Sequence, residues 1–152
     1  KSLGKKKVKG SRAVFKTKYA PGKIEAVAYD VSGKELSRSI LESATGKLHI
    51  CAEPEKKKVK SGEIVYVPVS IVGENGVVES NADDKINVTV AGGELLAFGS
   101  ANPRTEERFD AGIYTTYYGI ALAAVRVGEG GSTKICFTGE KTGTARVVID
   151  II

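Results

Sequence analysis

The sequence contains no methionine, no tryptophan, one histidine and two cysteines among its 152 residues. A structural zinc site needs about four cysteine or histidine ligands close together, and His49, Cys51 and Cys136 cannot supply them. Two cysteines also do not make the disulfide framework of a small secreted domain. These shortages exclude zinc, haem and iron–sulfur centres, and we predict that the chain has no cofactor.

Long apolar runs are also missing. No stretch reaches the length of about 18 apolar residues that a membrane helix needs, and the lysine-rich N-terminus lacks the apolar segment of a signal peptide. We therefore predict no membrane partner. The chain starts at Lys1 without methionine, so we expect it to be a piece of a longer protein. Its compartment, cytoplasmic or secreted, stays open.

The charge is moderately basic, with 23 lysines and arginines against 18 aspartates and glutamates. The excess lies in the runs "KKKVK" at 5–9 and "EKKKVK" at 55–60. A nucleic-acid surface would combine such runs with aromatic residues or a recognisable motif, and neither is present. The runs instead favour solvated strand edges, where lysine prevents edge-to-edge association, and we predict no nucleic-acid partner.

A period of two in hydrophobicity runs through almost the whole chain and predicts an all-β fold. In "EIVYVPVSIV" the apolar residues Val65, Val67, Val69 and Ile71 alternate with the residues between them. Residues 46–152 contain about seven such strands over about a hundred residues, the size of an immunoglobulin-like β-sandwich. We predict that 46–152 form one complete domain of this type.

The first 45 residues show only three or four strands, joined by turns at Pro21–Gly22 and Ser32–Gly33. The first of these strands is predicted before the Pro21–Gly22 turn, in "GSRAVFKTKYA" at 10–20. So few strands cannot close a sandwich, so we predict a truncated sandwich domain over residues 1–45. The boundary falls in the small polar segment "ESATG" at 42–46. We expect residues 1–45 either to pair with the same segment of another chain or to be more mobile than residues 46–152.

The cysteines are predicted to lie on outward faces of two different strands. In "KLHICAE", His49 and Cys51 alternate with Ile50, and in "TKICFTG", Cys136 follows Ile135. If the isoleucines face the core, both thiols point away from it. We therefore predict that the two cysteines are not bridged.

The polar loop "FGSANPRTEERF" at 98–109 contains residues that form turns, namely Gly99, Asn102 and Pro103. This chemistry favours a folded connection over a binding site. The alternative is a contact with carbohydrate or with a protein partner, for which the candidates are Asn102, Arg104, Tyr117 and Tyr118. The two tyrosines alternate in the predicted strand "YYGIALAAV", so one of them should face solvent.

The acidic pairs Asp83–Asp84 and Glu106–Glu107 do not predict catalysis. Neighbours on an extended chain point to opposite faces, so neither pair converges on one substrate atom. A calcium site would need six to eight oxygen ligands. The 98–109 loop contains two arginines between its oxygen-bearing side chains, and their positive charge opposes the binding of a cation. We predict no catalytic residue and no metal ligand.

Several segments together resemble a known enzyme family. "ELLAFGSANPRTEERF" followed by "TTYYGIALAAVRVG" resembles the C-terminal immunoglobulin-like domain of bacterial β-galactosidases of glycoside hydrolase family 2. "VYVPVSIVGENGVV" resembles the second strand and hairpin of that domain. Upstream, "FKTKYAPGKIEAVAYDVSGKEL" resembles the small sandwich domain that precedes it. One departure is Ile120, where relatives often place arginine.

The resemblance implies an accessory role. Enzymes of this family hydrolyse β-galactosides with two glutamates on a (β/α)₈ barrel, and these residues contain no such barrel. The implied function is a non-catalytic C-terminal region that packs against the catalytic and other domains of the parent enzyme. A homo-oligomer and a bound carbohydrate stay open as partners. The alternative functions are a free-standing carbohydrate-binding module and a bacterial surface immunoglobulin-like repeat.

Overall fold

The computed structural model describes all 152 residues and consists of β-strands and loops, without a helix. The structure therefore has no helix that is long and apolar enough to cross a membrane. The predicted all-β class is confirmed. The strands are β1 (Lys23–Tyr29), β2 (Glu35–Glu42), β3 (His49–Ala52), β4 (Lys58–Val59), β5 (Ile64–Val72), β6 (Lys85–Ala91), β7 (Gly93–Gly99), β8 (Ile113–Thr115), β9 (Ile120–Val127), β10 (Ser132–Gly139) and β11 (Gly143–Ile151).

Strands β3 to β11 form a sandwich of two sheets. One has four strands in the order β3-β5-β9-β7, and the other has five in the order β4-β11-β10-β6-β8. Phe98 from the first sheet and Phe137 from the second meet in the core, with ring centroids 6.0 Å apart. The sandwich has nine strands, more than the seven or so that alternation predicts, because β4 and β8 are too short to show a period.

The alternation on β5 is confirmed. Val65, Val67, Val69 and Ile71 are all at most 2% exposed, whereas Tyr66 between them is 45% exposed. Burying each aliphatic side chain contributes about 1.5–3 kcal/mol. The hydrophobic pattern of β5, one of the two inner strands of the four-stranded sheet, thus fixes its register with the neighbouring strands.

Residues 1–45 contribute one antiparallel hairpin, β1 with β2. The predicted strand at 10–20 is wrong, since the only pairing there is an isolated bridge between Lys9 and Arg12. Val14 and Tyr19 are 63% and 76% exposed. Alternation makes a strand only where a neighbouring backbone edge accepts it, and this segment has none. The domain limits at 45 and 46 remain a prediction.

The outward-facing residues follow the predicted pattern in the sandwich. Cys51 on β3 and Cys136 on β10 lie in different sheets, half-buried and both free, while Ile50 and Ile135 are buried. The lysine run at 55–60 contributes β4, an edge strand, as predicted. The run at 5–9 forms no strand beyond its bridge at Lys9, so the strand-edge interpretation is wrong there.

Candidate functional site

Most connecting loops that carry candidate residues meet at one end of the sandwich. Strands β5, β7, β8 and β10 end there, and β3, β6, β9 and β11 begin there. The segment that joins β2 to β3 also arrives at this end, which we call the linker end. Loops at the end of a rigid sandwich are a common place for binding residues.

The loop between β7 and β8 starts with a tight turn. The backbone N–H of Arg104 donates to Oδ1 of Asn102 at 2.9 Å, which is the local turn that the sequence predicts. Arg104 is exposed, and Asn102 is half-buried. No hydrogen bond joins either residue to the tyrosine pair, so the structure does not bring the four candidate residues together as one polar site.

Glu107 anchors the same loop to the five-stranded sheet. Its carboxylate accepts hydrogen bonds from the N–H and the hydroxyl of Thr115, at 3.2 and 2.8 Å. The ammonium of Lys85 lies 3.8 Å away. Glu107 is half-buried and Glu106 is exposed, in agreement with the prediction that the pair does not converge. Its role here is to join the loop to β8 and β6.

Phe109 closes the loop over Gly99. The N–H of Phe98 donates to the carbonyl of Phe109 at 2.8 Å, and the Phe109 ring stacks on Tyr114 with centroids 5.3 Å apart. A Cβ at Gly99 would clash with the Phe109 ring. The position of the ring therefore favours glycine here, and the loop is a packed connection.

An exposed ion pair completes this loop. The guanidinium of Arg108 donates to both carboxylate oxygens of Asp110, at 2.9 and 2.5 Å. These hydrogen bonds hold the pKa of Asp110 below its ordinary value. Both groups are exposed, so the pair contributes little to stability, and neither is available to bind a metal ion.

Tyr118 and Gly119 form a two-residue turn before β9, and Tyr117 pairs with Ile120 across it in an isolated bridge. The predicted placement of the two tyrosines on the strand that follows is therefore wrong, since β9 begins at Ile120. The N–H of Tyr117 donates to the carbonyl of Ile120 at 3.0 Å, and the reverse bond is 3.1 Å. Tyr118 and Gly119 have φ values of 51° and 72°, as a type I′ turn requires. Tyr118 is 59% exposed, and Tyr117 is half-buried.

The tyrosine rings are close together, with centroids 4.4 Å apart at an angle of 55°. The neighbouring Tyr118 hydroxyl raises the pKa of Tyr117 above its ordinary value, and partial burial and the Asp83 carboxylate raise it further. Left-handed backbone costs a residue with a side chain about 1–2 kcal/mol. Tyr118 thus occupies an unfavourable conformation without being buried in return.

Asp84 is a buried carboxylate whose role the sequence does not reveal. It is 4% exposed, and its Oδ2 accepts from the hydroxyl of Thr142 at 2.7 Å and from the N–H of Lys141 at 3.2 Å. Asp83 is exposed, so this pair also points to opposite sides. Asp84 ties the start of β6 to the β10–β11 turn, and its partners lie too far along the sequence for a local pattern to show them.

A second missed feature is a clamp on the segment before β3. The side chain of Asn75 donates from Nδ2 to the carbonyl of Ser43 and accepts at Oδ1 from the N–H of Thr45, both at 3.1 Å. The N–H of Glu74 also donates to the carbonyl of Thr45 at 2.8 Å. The turn at 73–76 therefore holds the linker at 43–45 in place.

Beside this clamp opens a polar groove of about 420 Å³. It contains His49, the only histidine, together with charged side chains of both signs, and no phenylalanine or tyrosine lines it. No group of three or more histidine, cysteine, aspartate or glutamate side chains is placed to hold a metal ion. The lining residues are Lys47, Leu48, His49, Glu74, Glu140, Lys141, Thr142 and Gly143.

The outer faces of the two sheets differ sharply. On the four-stranded sheet, apolar side chains of β5 and β9 lie next to each other on the outer surface, because Pro68 pairs with Leu122 and Tyr66 with Ala124. At the two ends of this row Ser70 pairs with Ile120, and Arg126 pairs with Ile64. We call this surface the apolar face. Its large exposed members are Ile64 at 44%, Tyr66 at 45%, Ile120 at 53% and Leu122 at 46%.

On the five-stranded sheet, the corresponding outward positions of β6 and β10 are mostly polar. The register places Thr138 beside Asn87 and Cys136 beside Thr89. We call this surface the polar face. Antiparallel sheets normally present polar residues to water, so the polar face is the ordinary one. The apolar face has the composition of a surface that contacts another macromolecular layer.

Comparison with known sequence families gives two matches. Residues 48–148 match glycoside hydrolase family 2 C-terminal domain 5, a span from the start of the sandwich into β11. Residues 1–37 match a domain of unknown function, DUF4982. The first match covers most of the chain.

Individual relatives are much longer than this chain. A curated β-galactosidase of Bacteroides ovatus is 26% identical over 141 residues, which cover 90% of this chain and 16% of the relative. A solved family 2 glycosyl hydrolase of Bacteroides cellulosilyticus is 25% identical with a TM-score of 0.79, covering 86% of this chain and 18% of that one. A solved family 2 β-glucuronidase is 15% identical with a TM-score of 0.74, covering 91% and 15%.

Proposed function

The chain belongs to the C-terminal domains of glycoside hydrolase family 2, and from this we propose that it is a non-catalytic accessory region that supports β-galactoside hydrolysis by packing against other domains of a longer enzyme. The proposal draws on the length of the relatives, of which this chain spans about one sixth. It also draws on the shared fold in enzymes named for two different sugars. A region that occurs in enzymes with different substrates is suited to packing against other domains.

The observation that carries the packing role is the apolar face. Leu122 is 46% exposed, so covering it would contribute about 1 kcal/mol, roughly half of what the burial of a fully exposed leucine contributes. On the five-stranded sheet, Val148 at 51% is the one large apolar side chain of β6, β10 and β11 that is exposed, so the polar face offers a smaller total gain. We therefore assign the apolar face to the contact with the rest of the enzyme, and the polar face to solvent.

The test compares matched pairs of substitutions on the two faces. Ile120→Lys with Leu122→Lys should lower self-association and apolar dye binding of the isolated chain without changing its unfolding temperature. In a full-length enzyme that carries this region, the same pair should lower the temperature at which β-galactosidase activity is lost. The control is Thr89→Lys with Thr138→Lys on the polar face, which should change none of these quantities.

Two results would contradict the proposal. Equal effects of the two pairs on the full-length enzyme would show that the apolar face is not the contact. Turnover of a chromogenic β-galactoside by the purified 152-residue chain, persisting through removal of contaminating enzyme, would show that the region is itself catalytic.

A further inference from the structure

The turn at Tyr118 combines backbone strain with an exposed aromatic ring. Its φ of 51° belongs to the region that asparagine and glycine adopt most readily, and its side chain is 59% exposed. Neither the backbone preference nor the core accounts for a tyrosine here. Strained residues of this kind concentrate at functional contacts.

The turn is also held rigidly. A Cβ at Gly119 would clash with the carbonyl oxygen of Glu79, so the turn packs directly on the segment that leads to β6. Thr116 fixes the other side, because its hydroxyl donates to the carbonyl of Ala82 at 2.8 Å and accepts from the N–H of Asp84 at 3.0 Å. The ring of Tyr118 is therefore presented in a defined position.

These contacts bring a free carboxylate next to the aromatic pair. Asp83 is exposed and close enough to Tyr117 for its charge to raise the pKa of that phenol. It takes part in none of the ion pairs at this end of the sandwich, where Lys85 is engaged by Glu107 and Arg108 by Asp110. Its oxygens are free to accept hydrogen bonds from a ligand.

A galactopyranoside is a ligand that fits an aromatic face beside a carboxylate. In a galactopyranoside the axial O4 leaves the hydrogens of C3, C4 and C5 together on one face of the ring, and this apolar face packs on an aromatic side chain. The hydroxyl groups at the rim donate hydrogen bonds to carboxylate oxygens. A glucopyranoside, with an equatorial O4, presents a less continuous apolar face.

We propose that Tyr118, Tyr117 and Asp83 form a binding site for a β-galactopyranoside, in which Tyr118 stacks on the sugar ring and Asp83 accepts hydrogen bonds from its hydroxyl groups. The site goes beyond the packing function and does not depend on it. Tyr118 lies in the turn, whereas packing is assigned to Ile120 and Leu122, so the two proposals fail in different experiments.

The test titrates the 152-residue chain with methyl β-D-galactopyranoside and follows the backbone amides by NMR. Saturable shifts should concentrate at Asp83, Tyr118 and Gly119, with a dissociation constant in the millimolar range. Methyl β-D-glucopyranoside should bind several-fold more weakly. Because the chain has no tryptophan, tyrosine fluorescence gives an independent readout.

Three variants separate the contributions. Tyr118→Asn suits the left-handed turn and should fold normally, but its affinity for the galactoside should fall by about tenfold or more. Tyr118→Phe keeps the ring and should retain most of the affinity. Asp83→Asn should weaken binding several-fold by removing the charged acceptor.

The proposal is overturned if Tyr118→Asn binds the galactoside as well as the original chain, or if no saturable shift occurs at the turn. It is also overturned if Tyr118→Asn lowers self-association of a chain that shows no galactoside shifts, because the turn would then be a protein contact.

Discussion

Residues 1–45 and residues 46–152 contain the same kind of alternating strand sequence, but only the second region buries it. All buried residues lie between Ile50 and Ile149. Two facing sheets remove side chains from water on their inner faces, whereas a single hairpin leaves both of its faces exposed. Strand formation is thus a local property of these sequences, and burial depends on a second layer.

The largest expected effect comes from one substitution made in both regions. Ile135 is 1% exposed and Ile24 is 50% exposed. Ile135→Ala should lower the free energy of unfolding by about 2–5 kcal/mol, and Ile24→Ala should change it by less than about 0.5 kcal/mol. Denaturant unfolding followed by tyrosine fluorescence measures both. Similar losses would show that the hairpin shares the core of the sandwich.

A smaller effect is expected at the junction between the regions. Asn75→Ala removes two hydrogen bonds to the linker, each worth about 1 kcal/mol, without touching the core. We expect faster hydrogen exchange at the Thr45 amide and an unchanged unfolding temperature. Asn87→Ala, at an exposed position of the polar face, serves as the control. A fall in unfolding temperature as large as that of Ile135→Ala would contradict the separation of the two regions.

The smallest effect is a pH response confined to the hairpin. Asp30 accepts hydrogen bonds from the Ser32 hydroxyl and from the backbone N–H of Lys34 and Ser32, and these hold its pKa below the ordinary value of 3.8. A lowered pKa means that the turn is fully stabilised above pH 3.8 and loses this support as the pH falls through the pKa of the folded turn. NMR shifts of the Ser32 and Lys34 amides report the change.

Asp30→Ala should abolish that response while leaving the sandwich unaffected. A transition centred above pH 3.8 would mean that the carboxylate is destabilised in the turn, contrary to the hydrogen bonds seen there.

The sequence predicts the sandwich well because its information there is local. The alternation of apolar residues from Val65 to Ile71 shows which side of the strand is buried. The turn at Asn102 is predictable because an asparagine side chain readily accepts a hydrogen bond from the backbone two residues later. The resemblance of the 98–109 loop and its neighbours to glycoside hydrolase family 2, which the family match confirms, also predicts that the strands form an immunoglobulin-like sandwich. These features need no knowledge of what lies far along the chain.

The rest depends on contacts between distant residues or on a weak signal. Asp84 meets Thr142 and Asn75 meets Ser43 only after folding, so neither role is visible in a short window. In "TYYGI" the sequence pattern of a strand continues through Tyr118, but the turn at Tyr118 and Gly119 interrupts it. A Tyr-Gly pair is a far weaker turn signal than Asn-Gly. Sequence reasoning therefore names the two tyrosines as candidates but places them on a strand, whereas Tyr118 lies in the turn before β9.

The clamp formed by Asn75 has a mechanical consequence. A flexible linker lets the two regions that it connects adopt many relative orientations. When both regions bind the same surface, this orientational entropy is lost, and the loss weakens binding. Here the linker is hydrogen-bonded to the sandwich at Ser43 and Thr45. The hairpin and the sandwich are therefore joined at a restricted angle and do not rotate freely about the linker. Contacts made by the first region therefore raise the effective concentration of the sandwich at one particular place.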